Sequence, residues 1–506
     1  MNMHLHSNVD VLADKSAVLK TKPNMSKNND KRVTLLGLDF GSTTSSALIA
    51  SAVISNSATG RMAFSDIQIV YRSEPVLTPF LDCNEKSQRL DINKITQIIQ
   101  HWLAESNVQS NQLFSGGSMI TGLAAQAENA AALSTVITQI VGESVIATAD
   151  DPCLESLLAF KGSCDALSRY YADVPILNID IGGGTSNIAL GLNNDIQQTG
   201  CYFIGARHFQ FVAGSYQLTV MSSYGKALLA ALNIKKAVHQ VLSADEIAKI
   251  MAFYVDALEA IVLGELSFFE SDIAQKHTQV TINLPANTKI NITFSGGVGE
   301  LIYKISANQA LPTKALLSTT YFGDFGIDLA QAICNSPILC ANLTTCTPEN
   351  KGRATVIGLT LHATEIAGNT IHLPNPNYLP LRNLPIIANL NVKSSVQQWQ
   401  HVFALAAKCQ NGACLQITAT NTLDEIRALA QKISDYLGTS KYAPCQPLLI
   451  LVETNIGKAL GNYISNWGQH LHNVMVIDEV PLRSAHFVHV GRLHQQMIPV
   501  SFYGLH

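Results

Sequence analysis

Two short stretches of the chain carry the residue types best suited to chemistry, and they repeat one another. LLGLDFGSTTSSALIA (35–50) and ILNIDIGGGTSNIALG (176–191) each pass from an apolar segment through a turn of glycines and hydroxyl residues into a second apolar segment. A shift of 141 positions pairs Leu36 with Leu177 and then, within a shared pattern DxGxxTS, Asp39 with Asp180, Gly41 with Gly182, Thr44 with Thr185 and Ser45 with Ser186. An internal repeat of this kind predicts two related half-domains.

The composition of these turns is typical of phosphate binding. Glycine lets backbone N–H groups converge on an anion and leaves room for it, and serine and threonine add hydroxyl donors. An aspartate repels phosphate, but it can hold a hydrated Mg2+ that bridges phosphate oxygens, so we assign Asp39 and Asp180 to the metal. The phosphates would be held by the remaining loop residues, Gly41, Ser42, Thr43, Thr44, Gly182, Gly183, Gly184 and Thr185.

Phosphate binding accounts for these stretches better than three alternatives do: an ordinary hairpin, a P-loop and a dinucleotide-binding turn. A single DxG turn would fit an ordinary hairpin, but two copies in the same setting favour phosphate. The sequence has no GxxxxGK[ST], which excludes a P-loop. A dinucleotide-binding GxGxxG opens a helix, whereas GGGTSNIALG continues into a strand-like pattern, which argues against NAD.

The elements that must position these loops alternate between strand and helix patterns along the whole chain. Each loop joins two apolar strands, an amphipathic helix is predicted over 91–103, and a short helix after position 154 is predicted to end at Gly162. TFSGGVGE (293–300) reads as a strand, a glycine turn and a helix start, and the region after 410 reads as βαβαβ, with a capping box of Thr422 and Glu425. The predicted divisions are a disordered polar tail at 1–32, a first half-domain at 33–165, a second at 166–372, and a C-terminal α/β domain at 373–506.

Composition excludes several classes of protein. The 506 residues are 47% hydrophobic and 14% charged, with a net charge of −4 and no long basic run, which argues against nucleic acid as a partner. The most apolar long segment, 251–269, carries three acidic residues, which would be costly in a bilayer, so no membrane span is predicted. Ten cysteines without a CxxC pair predict free thiols rather than a zinc site.

The two loops resemble the phosphate-1 and phosphate-2 motifs of the actin-like ATPase superfamily. In the expected order, TFSGGVGE resembles the adenosine motif, and 151–162 and 354–363 resemble the two connecting helices. The resemblance implies an α/β fold of duplicated ribonuclease H-like half-domains around a nucleotide cleft, with ATP and Mg2+ as cofactors. It also implies that Gly296 and Gly297 face the nucleoside.

A more specific set of motifs is similar to the family of ethanolamine ammonia-lyase reactivating factors, the EutA family, over nearly everything after residue 33. These motifs are ITGxxAxxENA, VIATAxxxxLES, LNIDIGGGTSNIAL, TGCxxIGxR, ITFSGGVGE, YFGDFGIDLAQAI, RATVIGxxxHATEIAGNTI and LVExNIGKALG. The family implies an ATP-dependent, chaperone-like factor that lets damaged cobalamin leave ethanolamine ammonia-lyase so that intact adenosylcobalamin can bind. It implies a cytoplasmic location, with association with an ethanolamine-utilising microcompartment, and leaves homo-oligomerisation open.

Within this scheme Glu155 is the candidate to orient the attacking water from the base of the cleft, as a third catalytic residue beside Asp39 and Asp180. A purely structural role, as an acid favoured at a helix N-terminus, accounts for Glu155 equally well. Glu128 and Asn129 are weaker candidates, and Arg207 is expected at the surface, with pairing to an acid or to nucleotide as the alternative.

The sequence departs from the family where an acid and then basic residues are expected. The run is TGLAAQAEN, with Leu123 in place of the acid and Gln126 and Ala127 where charges are usual. This keeps open a non-hydrolysing partner-binding protein with a degenerate nucleotide site. A small-molecule kinase of the same superfamily is a second alternative, although no sugar-kinase signature is present, and an actin-like filament is a third.

Overall fold

The computed structural model describes residues 32–41, 44–56, 62–74, 76–81, 89–125, 127–141, 145–149, 152–193, 195–284, 289–309, 319–362, 364–367, 370–409, 411–469, 472–493 and 497–505. Residues 1–31 of the predicted tail 1–32 lie outside the described residues, as do Ser42 and Thr43 of the first loop, whereas Arg32 belongs to a strand. No helix among the described residues is long and apolar enough to cross a membrane.

The first sheet contains the first predicted loop. Its strands are β1 (Arg32–Phe40), β2 (Thr44–Asn56), β3 (Met62–Arg72), β4 (Val76–Leu77), β5 (Leu113–Ile120) and β6 (Val145–Ala149). The order is β3-β2-β1-β5-β6, with β4 beside β2. The first three strands form an antiparallel meander, and β5 and then β6 add in parallel beside β1.

The second sheet repeats this plan. Its strands are β7 (Ile176–Ile181), β8 (Ser186–Leu192), β9 (Asp195–Tyr202), β12 (Thr278–Val280) and β13 (Asn291–Ser295), and a separate two-stranded ribbon is formed by β10 (Phe209–Phe211) and β11 (Leu218–Met221). The order is β12-β9-β8-β7-β13, again an antiparallel meander with a parallel strand beside its first member. The sequence repeat is therefore a repeat of topology, and the prediction of two duplicated α/β half-domains is confirmed.

The helices of these two units are α1 (Ile92–Ser106), α2 (Gly122–Ala125), α3 (Ala130–Val141), α4 (Pro152–Tyr170), α5 (Ser223–Ala231), α6 (Ala244–Leu263), α7 (Asp272–Lys276), α8 (Gly296–Ser306), α9 (Gly326–Asn335) and α10 (Ala354–His362). Apolar residues of α6, α8 and α9 pack with those of the second sheet into its main core. The first sheet has its own core, to which α1 and α3 contribute.

The prediction that Gly162 ends a short helix was wrong, because α4 continues to Tyr170. A Cβ on Gly162 would collide with the backbone carbonyl of Ala354, and a Cβ on Gly358 would collide with that of Leu158. Since neither glycine carries a side chain, α4 and α10 can cross with their backbones in contact. This crossing joins the half-domains.

Strand β5, with the sequence LFSGGSMI, was not predicted. Its small residues lack the β-branched pattern of a strand. The structure accounts for the small residues, because a Cβ on Gly117 would collide with the side chain of Leu359 on α10. Packing of a connecting helix against the sheet, rather than strand propensity, decides the composition of β5.

The third sheet is larger than the predicted βαβαβ. Its strands are β14 (Glu365–Ala367), β15 (Leu381–Leu390), β16 (Ala413–Ile417), β17 (Leu448–Val452), β18 (Val474–Ile477), β19 (Ala485–Val490) and β20 (Ile498–Leu505), in the order β14-β20-β19-β15-β16-β17-β18. Strands β15 to β18 are parallel, and the accompanying helices are α11 (Val396–Ala406), α12 (Leu423–Thr439) and α13 (Gly457–Ile464).

Two details of this C-terminal region differ from expectation. The capping box does not form, because the Thr422 side chain caps nothing at the start of α12 and Glu425 instead accepts a hydrogen bond from the Thr420 backbone at 3.0 Å. In addition, Ile366 and Met497 pack into one cluster with Val33 of the first sheet. The third sheet is thus packed against the first half-domain.

Candidate functional site

The two predicted loops are closed by the same backbone hydrogen bond. The Gly41 N–H donates to the Thr44 carbonyl at 3.0 Å, and the Gly182 N–H donates to the Thr185 carbonyl at 2.9 Å. The strand registers also agree, since Asp39 faces Ser46 and Asp180 faces Asn187, at the same 141-residue offset. Each aspartate therefore lies at the end of the first strand of its meander, directly before its loop.

Each loop is braced by bonds to its backbone carbonyls. Thr78 Oγ1 donates to the Gly41 carbonyl at 2.7 Å in the first loop. In the second, the Ala206 and Arg207 N–H groups donate to the carbonyls of Gly182 (3.2 Å) and Gly183 (2.6 Å). Carbonyl oxygens repel phosphate, so engaging them elsewhere fixes the loop shape and suits it to an anion.

The structure brings the three predicted acids together. Burial, followed by the Asp180 charge, raises the pKa of Asp39 from 3.8 to about 7. Burial also raises the pKa of Asp180 to about 6, and a hydrogen bond from Ser295 opposes this rise. The pKa of Glu155 is raised well above its ordinary value by burial and then by the charges of Asp180 and Asp39. Three carboxylates that disfavour each other's ionisation in a shared site are typical of a cation or catalytic site.

The donor set fits a hydrated divalent cation. Asp39 Oδ1 is buried and finds no hydrogen-bond partner among the described residues, which leaves an oxygen available to the water shell of an ion. This suits Mg2+, which keeps several waters and takes few carboxylates. Within the same part of the chain, no group of three or more His, Cys, Asp or Glu side chains is arranged to ligate a metal directly.

Two residues that the sequence did not single out hold Glu155. Thr121 and Asn187 both donate side-chain hydrogen bonds to this carboxylate, which lowers its pKa against the effect of burial. Thr121 follows β5 in the first half-domain, and Asn187 lies on β8 in the second, where its Nδ2 also donates to Thr185 Oγ1 at 3.2 Å. Thr121 lies inside ITGxxAxxENA and Asn187 directly after GGGTS, so the motifs contained the signal.

The adenosine-type turn adjoins the second loop. Gly296 has φ +79°, and a Cβ there would lie 2.5 Å from the Ile181 carbonyl and 3.0 Å from Asp180 Oδ1. Gly297 is exposed, and a Cβ there would meet nothing within 4 Å. Gly296 is therefore required by the backbone, whereas Gly297 faces open space.

This contrast gives a test of the predicted nucleoside side of the site. We expect Gly296→Ala to lower the unfolding midpoint, because the left-handed conformation costs about 1–2 kcal/mol for a residue with a Cβ and the clash adds to it. We expect Gly297→Ala to unfold at the wild-type temperature but to bind ATP more weakly. Thermal unfolding and ATP titration check both variants, and equal ATP affinity of Gly297→Ala and wild type would contradict the assignment.

The remaining predicted residues lie apart from this cluster or play a structural part. Arg207 is half-buried rather than at the surface, and Asp324 is its acidic partner, whose pKa burial raises to about 6. The Asn129 side chain binds the backbone N–H and carbonyl of Leu90, at 2.8 and 2.9 Å, so it braces a loop. Glu128 is exposed.

A cavity of about 580 Å3 lies along α8 beyond the adenosine-type turn. Its lining includes Glu300 and Tyr303 of α8 and Gly352 and Arg353 before α10, and none of the predicted phosphate or metal residues. Helix α8 thus begins at the predicted nucleoside side and continues along this cavity.

Comparison with known proteins gives a family match over almost the whole chain. The model of the family described as "Ethanolamine utilisation protein EutA" matches residues 31–505. A protein of Salmonella typhimurium strain LT2, named ethanolamine ammonia-lyase reactivase EutA, is 28% identical over 470 residues, covering 92% of this chain and 96% of that protein. A protein of the same name from Escherichia coli strain K12 is 27% identical over 491 residues, with the same coverage.

Solved structures resemble the chain only distantly. An exopolyphosphatase from Cytophaga hutchinsonii is 12% identical, with 60% of this chain and 88% of that chain covered and a TM-score of 0.35. The ethanolamine utilization protein EutJ from Carboxydothermus hydrogenoformans is 14% identical, with 65% and 89% covered and a TM-score of 0.27. Scores this low carry no inference about function.

Proposed function

We propose, from the premise that this chain belongs to the EutA family of ethanolamine utilisation proteins, that it is an ATP-dependent reactivating factor for ethanolamine ammonia-lyase. It would promote release of damaged cobalamin from that enzyme, so that intact adenosylcobalamin can bind. The observation that carries the ATP dependence is the convergence of Asp39, Asp180 and Glu155 between two loops with matching hydrogen bonds. The partner enzyme is proposed from the names of the two relatives.

The residues of the cleft divide the work of binding and hydrolysis. The two loops would bind the phosphates through backbone N–H groups and hydroxyls, and Gly296 and Gly297 would face the nucleoside. Asp39 and Asp180 would hold a hydrated Mg2+, which neutralises phosphate charge when bound. Glu155, oriented by Thr121 and Asn187, would hold the attacking water in line with the phosphates.

The position of Glu155 suggests how hydrolysis is coupled to motion. It lies in the first turn of α4, one of the two crossing helices, and it accepts bonds from a residue of each half-domain. Any rotation of one half-domain against the other would therefore disturb this carboxylate. We infer that ATP closes the half-domains, that closure moves a surface which grips the lyase, and that hydrolysis need not be fast for this work.

The proposed location follows from the proposed partner. A factor that acts on ethanolamine ammonia-lyase must meet that enzyme, so we expect the protein in the cytoplasm, in association with an ethanolamine-utilising microcompartment. Co-fractionation with the lyase would check this.

A reactivation assay tests the proposal directly. Purified ethanolamine ammonia-lyase is inactivated with cyanocobalamin and then mixed with the protein, ATP, Mg2+ and adenosylcobalamin. We expect lyase activity to return only when the protein and ATP are both present, because closure depends on nucleotide. Failure to recover lyase activity would contradict the reactivating role. Recovery without ATP would contradict the proposal that ATP binding in the cleft drives reactivation.

Nucleotide binding and ATP consumption, measured alongside this assay, separate the alternative functions. Nucleotide binding without turnover would favour a non-hydrolysing partner-binding protein, to which the altered TGLAAQAEN run points. ATP consumption that rises with a small alcohol or sugar, and not with the lyase, would favour a kinase.

A further inference from the structure

A chain of buried polar side chains leads through the second half-domain to Asp180. Ser295 Oγ donates to Asp180 Oδ2 at 2.6 Å, and Asn178 Nδ2 donates to Ser295 Oγ at 2.9 Å. Thr293 Oγ1 donates to Asn178 Oδ1 at 3.1 Å and lies 3.3 Å from Cys164 Sγ. None of these five side chains is more than 5% exposed. Buried polar groups depend on one another for hydrogen bonds, so this row of hydrogen-bonded side chains acts as one unit.

The chemistry of its members sets the direction of these bonds. An amide nitrogen can only donate, so Ser295 Oγ must accept from Asn178. The single hydroxyl proton of Ser295 is then available for Asp180, whose Oδ2 is the acceptor. This arrangement favours the ionised carboxylate and fixes which of its two oxygens is engaged by the protein.

The second oxygen of Asp180 faces the turn at Gly296. Oδ1 is 3.0 Å from the point where a Cβ on Gly296 would lie, so a glycine at that position keeps a side chain away from this oxygen. The chain draws on three elements, with Cys164 on α4, Asn178 and Asp180 on β7, and Thr293 and Ser295 on β13. The carboxylate is therefore held by the packed core of the half-domain rather than by its own loop.

We infer that Ser295 and Asn178 are positioning residues for a divalent-cation site, which hold Asp180 through Oδ2 and present Oδ1 to the hydration shell of the ion. This inference rests on the proposed function in assigning Asp180 to the metal. Outer hydrogen bonds of this kind commonly contribute about 10- to 100-fold to metal affinity. The sequence alone did not indicate the role, because Ser295 lies within the adenosine-type turn and resembles an ordinary turn serine.

Mn2+ binding to the nucleotide-free protein tests the inference without ATP turnover. Free Mn2+ is measured by electron paramagnetic resonance during titration of the wild type and of three variants. We expect Ser295→Ala to weaken Mn2+ binding by about 10-fold or more and Ser295→Cys, whose thiol donates weakly, to weaken it less. Ser168→Ala is the matched control, because it removes a buried serine hydroxyl about 20 Å along α4 from Glu155.

Wild-type Mn2+ affinity in folded Ser295→Ala would overturn the inference, and so would an equal loss in Ser168→Ala. If Ser295→Ala does not fold, Ser295→Cys replaces it: weaker Mn2+ binding than wild type would support the inference, and wild-type affinity would overturn it. ATP hydrolysis is measured on the same samples. Wild-type protein that binds Mn2+ with the expected order of variants but does not hydrolyse ATP would refute the proposed function and leave this inference standing.

Discussion

Replacement of Asp180 by asparagine is expected to abolish ATP hydrolysis while the fold is retained. Asparagine has nearly the same shape and can still accept the Ser295 hydrogen bond through its carbonyl oxygen, so packing on β7 is kept. It removes the charge that would hold the cation opposite Asp39. Loss of one preorganised donor from an oxyanion hole commonly costs about 10²–10³-fold in rate, and loss of a charge that holds the cation should cost at least as much. Steady-state phosphate release measures the effect.

Two controls accompany this prediction: one checks that Asp180→Asn still folds, and the other checks that the loss of hydrolysis is specific to Asp180. Burial raises the pKa of Asp180 to about 6, so removal of its charge should leave the unfolding temperature unchanged or raised. Asp195→Asn makes the same substitution at an exposed position on β9 and should hydrolyse ATP at the wild-type rate. If Asp180→Asn also does so, the pair of aspartates does not hold the metal.

Replacement of Glu155 by glutamine is expected to slow hydrolysis by about 10²-fold while ATP binding is retained. The amide can still bond to Thr121 and Asn187, but it holds a water less strongly and cannot take a proton from it. The same variant should be more stable than wild type, because it removes a buried carboxylate that faces two others.

The pH dependence of this stability gain follows from the raised pKa of Glu155. A raised carboxyl pKa means that the folded state binds the proton more tightly than the unfolded state, so wild-type stability falls as pH rises above the ordinary value near 4.5. Glutamine does not titrate. The unfolding temperatures of the two proteins should therefore agree more closely at pH 4.5 than at pH 7, where the variant should unfold at the higher temperature.

This experiment also separates the catalytic from the structural role of Glu155. An acid that only favours the N-terminus of α4 would contribute about 0.3–1 kcal/mol, and glutamine would then destabilise the protein and leave hydrolysis nearly unchanged. A lower unfolding temperature at pH 7 with wild-type turnover would support the structural role and remove Glu155 from the mechanism. Asp272→Asn provides a control at the first turn of α7, where the acid is exposed and lies at the helix N-terminus.

The sequence by itself determined the parts of this protein that depend on local pattern. The DxGxxTS repeat predicted two related units. The two sheets share an antiparallel meander of three strands with a parallel strand beside its first member, and their loops share one backbone hydrogen bond. The apolar runs predicted the strands beside each loop, because a strand that is buried on both faces is apolar along nearly its whole length. The motifs predicted the family, and the family model covers residues 31–505.

Only the tertiary structure decided what distant segments do to one another. The sequence suggested that Gly162 ends a helix, but Gly162 lies where α4 crosses α10. Its neighbour there is Ala354, which is distant in sequence. The small residues of β5 obscured a strand because α10 packs on it. Thr121, Asn187 and Ser295 were ordinary hydroxyl and amide residues until the fold placed them against Glu155 and Asp180. Local pattern follows from the neighbours in sequence, whereas burial, close approach and pKa depend on neighbours that folding alone brings together.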